Sequence, residues 1–184
     1  MNSSLENRLA LRQFYFLRAG AAFAWVVLVA LLAAKSPLAA GVLLFIYPAW
    51  DALANIIDAR RNGGLAVNPG QRLNAIVSTL TAICVTVAFV QKGNAGGLAV
   101  FGAWALLAGL FQLAVGIRRR KLGGQAFMII SGAQSALAGV IFIARSLGDT
   151  VPGVVELAPY AAFGGFYFLA SALWLTFRKV PAVS

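Results

Sequence analysis

Histidine is absent from this chain, cysteine occurs once, and aspartate and glutamate together number five in 184 residues. The carboxylates are Glu6, Asp51, Asp58, Asp149 and Glu156. Without histidine, neither a Ser-His-Asp triad nor a Cys-His pair can be assembled. The cysteine and histidine ligand sets of zinc, haem and iron–sulfur centres are excluded as well. The sequence therefore predicts no enzyme, no metal and no other cofactor. One cysteine cannot close a disulfide within the chain, and Cys84, inside an apolar run, reads as a small buried hydrophobe.

Charge is equally scarce. Charged residues make up 11% of the chain and hydrophobic residues 61%, with a mean hydropathy of +0.85. A soluble domain carries about a quarter charged residues, so this chain cannot coat a globule in water. Its net charge of +10 would point to nucleic acid only if the basic residues lined a soluble face. They lie instead between apolar runs, which excludes a nucleic-acid partner and makes membrane lipid the expected one.

A helix needs about 20 mainly apolar residues to cross the hydrocarbon core. Six runs meet this length, at about 14–34, 38–58, 73–91, 96–117, 125–144 and 157–177. Lys35-Ser36-Pro37, the stretch from Asn62-Gly63-Gly64 to Asn68-Pro69-Gly70, Gly93-Asn94, Gly123-Gly124 and Gly148-Asp149 separate them. The expectation is one all-α transmembrane domain over 1–184, a bundle of six helices. The first run could be taken for a cleaved signal peptide, but the next begins three residues later, so it is read as a span.

With six spans, both termini share a side. That side holds Arg8, Arg12, Arg18, Arg60, Arg61, Arg72, Arg118, Arg119, Arg120, Lys121, Arg178 and Lys179, and the other only Lys35, Lys92 and Arg145. The positive-inside rule then predicts a multi-pass protein of the inner (plasma) membrane with cytoplasmic termini. Arg118, Arg119, Arg120 and Lys121 read first as a topology anchor, and secondly as a binding site for anionic lipid head groups. The even-numbered runs end alike, at Asp58-Ala59-Arg60-Arg61, Ile117-Arg118-Arg119-Arg120-Lys121 and Phe177-Arg178-Lys179. This pattern predicts three repeated helical hairpins.

One run carries more than topology. Tyr47, Asp51, Asn55 and Asp58 are spaced four, four and three, which puts them on one helical face. A carboxylate at the centre of a span costs about 2.5–3.5 kcal/mol to insert, so Asp51 needs a partner, water or a proton. Pro48 weakens the helix beside it. The stripe reads either as a structural clasp or as the wall of a proton-responsive channel or carrier. Gln112, Asn74, Ser78, Gln134 and Ser135 are the candidate partners on other spans. Under the clasp reading, Asp58 pairs with Arg60, Arg61 or Arg118. Aromatic residues are scattered through the runs, and some are expected at the interfaces.

The stretch from Phe101-Gly102-Ala103-Trp104 through Gly109-Leu110-Phe111-Gln112-Leu113 to Arg118-Arg119-Arg120 resembles a span of the HdeD-type membrane proteins. Ile130-Ser131-Gly132-Ala133-Gln134-Ser135-Ala136-Leu137-Ala138-Gly139 resembles the span that follows it there. The resemblance covers about residues 38–177 and departs from the family pattern at Tyr47-Pro48-Ala49-Trp50-Asp51. It implies a small six-span bacterial inner-membrane protein of repeated hairpins with a role in acid resistance, and it carries over no catalytic residues. The leading expectation is thus a non-enzymatic stress-response protein of the membrane. The alternative is a small channel or carrier whose partner is the proton or a small solute. Either reading is compatible with a homo-oligomer.

Overall fold

The computed structural model describes residues 3–118 and 126–177, and among them it is built of helices and turns. The helices are α1 (Ser3–Leu28), continued by a π-helical turn over Val29–Ala33, α2 (Pro37–Arg61), α3 (Pro69–Arg118), α4 (Ala126–Ser146) and α5 (Ala158–Phe177), the last preceded by a 3-10 turn over Val154–Leu157. Five segments are long and apolar enough to cross a membrane: Leu9–Ala33, Pro37–Arg61, Pro69–Arg118, Ile129–Ser146 and Val154–Phe177.

Two boundaries differ from expectation. Helix α1 starts at Ser3, well before the apolar run at 14, because Leu9-Ala10-Leu11-Arg12 are strong helix formers that need no hydrocarbon around them. The break expected at Gly93-Asn94 is confined to one residue. Gly93 takes φ 56° and ψ −142°, a conformation open essentially to glycine alone. Helical geometry resumes on both sides of it.

The turn at Gly93 reverses the chain. A straight helix of this length would run about 75 Å, and Ser78 and Trp104 would stand far apart along it. Instead the Trp104 indole donates to Ser78 Oγ at 3.2 Å. The limbs of α3, residues 69–92 and 94–118, are therefore antiparallel. Ser36 opens α2 as its N-cap, accepting from the Ala39 amide at 3.2 Å, and Pro37 follows at the first helical position, where a missing N–H is harmless. α2 then runs through Pro48 as one helix.

The packing forms a closed ring. α2 lies against the first limb of α3, the second limb lies against α4, and α5 lies against α1. At the centre Trp25, Tyr47, Phe101, Trp104, Phe142 and Tyr160 stack on one another. Centroids are 4.7 Å apart for Trp25–Tyr47, 5.3 Å for Phe101–Trp104 and 5.7 Å for Phe101–Tyr160. Aromatic pairs at such separations and tilts attract beyond their area burial. Trp25, Tyr47, Trp104 and Tyr160, expected to be scattered, thus converge in the core with Phe101 and Phe142, while Trp174 faces outward.

The outer surface is apolar. Leu31, Leu80, Ile83, Val90, Leu137, Val140, Phe166 and Trp174 are all exposed, far more contiguous apolar surface than a soluble monomer presents. Cys84 lies on this outer face and is exposed, which corrects its reading as a buried hydrophobe: its helix turns it away from the bundle. Hydroxyls without a partner on another helix fold back on their own, as in Thr79 to Ala75 O (2.7 Å) and Thr86 to Ala82 O (2.8 Å). That return bond satisfies the hydroxyl within its own helix.

Candidate functional site

The polar stripe of α2 meets two other helices at Asp51. Arg18, on α1, donates its Nη2 to Asp51 Oδ1 in a short ion pair. From α3, Ser78 Oγ donates to Asp51 Oδ2 at 2.8 Å. One turn along α2, Asn55 Nδ2 donates to the same oxygen at 3.1 Å and to the Asp51 carbonyl at 2.8 Å. Ser78 in turn accepts from the Trp104 indole. A single carboxylate thus ties together α1, α2 and both limbs of α3.

Side-chain exposure is 16% for Arg18 and 21% for Asp51, so both charges are largely removed from solvent. The guanidinium lies 4.2 Å from the Phe168 ring centroid and 5.9 Å from that of Phe14. Its Nε is buried without a hydrogen-bond acceptor, and the attraction of the Phe168 face for a cation offsets part of that loss. Tyr47 sits one turn from Asp51 on the other side, packed edge-on to Trp104 with centroids 6.0 Å apart. The Trp25 indole donates to the Leu43 carbonyl at 2.8 Å. Asp51 therefore faces packed side chains on its inner side.

The sequence-predicted residues divide. Tyr47, Asp51 and Asn55 belong to this interior cluster, and Ser78, one of five expected partners, bonds directly to Asp51. Asp58 does not join it. Nor does it pair with Arg60, Arg61 or Arg118: it accepts from Gln71 at 3.0 Å and from Asn62 at 3.2 Å. The end of α2 turns Asp58 toward its own C-cap residue Asn62 and toward Gln71 in the first turn of α3. Gln112 is exposed and bonds to Ser131 of α4. Gln134 accepts from Tyr167 at 2.9 Å, and Ser135 meets Ala105 O at 2.9 Å and Tyr160 at 3.0 Å. Asn74 is exposed. Of the basic group, Arg118 is exposed at the end of α3, and Arg119, Arg120 and Lys121 lie outside the described residues.

Arg18 is the partner that sequence reasoning missed, since it was counted only among the basic residues that orient the chain. The signal was present: Arg18 falls inside the first apolar run, and a charge within a span calls for a counter-charge. Choosing its partner required knowing how α1 and α2 face each other.

Fold and site together define a class, an all-helical bundle with an apolar exterior and a neutralised ion pair inside. No family model, curated protein or solved structure matches the chain.

Proposed function

We propose that this chain is a non-enzymatic inner-membrane protein of the HdeD type, acting in acid or envelope stress as a rigid bundle and not as a transporter. The observation that carries this reading is the saturation of Asp51. Arg18, Ser78 and Asn55 occupy its oxygens, and the aromatic cluster packs above it. A transport site needs a group free to exchange ligands along a wetted path, and a clasp needs the opposite. The stress assignment draws on the resemblance of residues 101–120 and 130–139.

The same proposal gives the chain six spans. The limbs of α3, about 36 Å each at the helical rise, each exceed a hydrocarbon core of about 30 Å. In this proposal the three hairpins are α1 with α2, the two limbs of α3, and α4 with α5, and they meet one another where α2 packs on the first limb, the second limb on α4, and α5 on α1. With cytoplasmic termini, a periplasm-active reporter fused after Lys92 gives signal and one fused after Lys121 gives none. The opposite pattern reverses the orientation.

Proton flux tests the function. Liposomes holding the protein, with a pH gradient imposed, are expected to leak no faster than protein-free liposomes. A second reading, a small proton-responsive channel or carrier, draws on Tyr47 and the Ser135–Tyr160 hydrogen bond (3.0 Å), which continue the polar column beyond Asp51. Flux in the wild type that is lost from a folded Arg18→Met/Asp51→Leu double variant would favour it over the clasp.

A further inference from the structure

We propose that the cleft between α1 and α2 binds one anionic phospholipid, with an acyl chain in the cleft and the phosphate on Arg61. The inference rests on the membrane-spanning reading above. Although consecutive in the chain, α1 and α2 pack only loosely on each other, because α1 lies mainly along α5. Between them is a groove of about 150 Å³ lined by Ala21, Trp25, Ile46, Tyr47 and Trp50. Its walls are apolar, and Ile46 is exposed at its rim. The Trp25–Leu43 hydrogen bond (2.8 Å) joins the two helices at the end of the groove away from Arg61, and the Arg18–Asp51 ion pair joins them on the Arg61 side.

The charge that selects the occupant sits on the same seam. Phe14, Ala21 and Trp25 are spaced seven and four, so they share one face of α1. Over the Phe14 ring, 5.6 Å from its centroid, lies the guanidinium of Arg61. This holds Arg61 at the basic end of the cleft. Among the described residues the ion pairs are Arg18–Asp51 and Arg145–Glu156, so Arg61 has no carboxylate of its own. Trp50 and Arg61 are eleven residues apart, about 16 Å along α2. An acyl chain reaching the midplane of a bilayer spans about 15 Å. A phosphate at Arg61 therefore puts the chain beside Trp50.

Tryptophan quenching reads this directly. The protein is placed in phosphatidylcholine vesicles containing a graded fraction of either phosphatidylglycerol or phosphatidylcholine with brominated chains. Trp174, exposed on the outer face, reports insertion in the wild type through quenching by both lipids. In a Trp174→Phe variant, the groove residue Trp50 dominates the response, since Trp25 and Trp104 are both buried. Brominated phosphatidylglycerol is expected to half-quench this variant at a fraction about fivefold lower than brominated phosphatidylcholine, the factor one arginine supplies near an anionic surface. Adding Arg61→Gln should bring the two lipids to parity, and Ala21→Leu should reduce quenching by both. Equal half-quenching before the Arg61 change, or a preference that survives it, overturns the lipid site alone. Loss of Trp174 quenching in the wild type overturns the membrane reading, and this site with it.

Discussion

Replacing Asp51 with leucine or asparagine is expected to destabilise the bundle by about 3–5 kcal/mol, the usual loss when one partner of a buried ion pair is removed. Asparagine keeps the shape and can still accept from Ser78, but it leaves the Arg18 charge inside the bundle without a counter-charge. Arginine cannot release its proton to escape. Arg18→Met should cost less, because the Asp51 carboxylate keeps its hydrogen bonds from Ser78 and Asn55. The double variant Arg18→Met/Asp51→Leu should recover most of the loss, to within about 1–2 kcal/mol of wild type, since replacing both charges with apolar groups is often near neutral. Unfolding in detergent micelles, followed by heat or by added SDS, measures the four variants against wild type. Purely additive losses in the double variant would mean that the pair is not the clasp described.

Gly109→Val should be the most damaging single change on the other side of the ring. A Cβ at Gly109 would lie 2.3 Å from the Ala136 amide nitrogen and 2.6 Å from the Gly132 carbonyl oxygen, and at Gly139 it would lie 2.4 Å from the Leu106 nitrogen. These neighbours are backbone atoms, which no rotamer change can move aside. The second limb of α3 and α4 would have to separate, losing the close approach that small residues allow. We expect a loss of about 3 kcal/mol or more, the upper range for overpacking. Gly20→Ala, on the exposed face of α1 with no atom within 4 Å of the added methyl, should be neutral or gain up to about 1 kcal/mol of helix propensity. The same unfolding assay compares them. A Gly109→Val variant as stable as Gly20→Ala would show that α3 and α4 do not approach this closely.

Ser131, Ser135 and Gly139 share a four-residue spacing in the sequence, yet they do different work. Gly139 lets α3 approach. Ser135 bonds to Ala105 O and meets Tyr160, and Ser131 bonds to Gln112. Spacing places residues on one face of a helix but does not say which neighbour that face will meet. The same holds for the acidic stripe of α2. Its period was legible, and so was the need of Asp51 for a partner. That Asp58 would leave the cluster for Gln71 and Asn62 was not legible, because it depends on where the chain turns after Arg61.

What the sequence determined by itself follows from rules that act within one segment. Apolar runs of about 20 residues made the helices, since a backbone removed from water must satisfy its own hydrogen bonds. Ser36-Pro37 and Gly93 marked two reversals through local backbone chemistry, and the missing histidines excluded whole classes of catalysis. The tertiary structure alone decided the long-range pairs: Arg18 with Asp51 across 33 residues, Ser78 with Trp104 across 26, and Tyr160 with Ser135 across 25. It also gathered Trp25, Tyr47, Phe101 and Tyr160 into one core and turned Cys84 outward. The physical reason is that hydrophobicity, which sorts inside from outside in water, is nearly uniform around these helices. Their facing is set instead by a few polar contacts and by small residues that permit close approach, and both depend on which helices become neighbours.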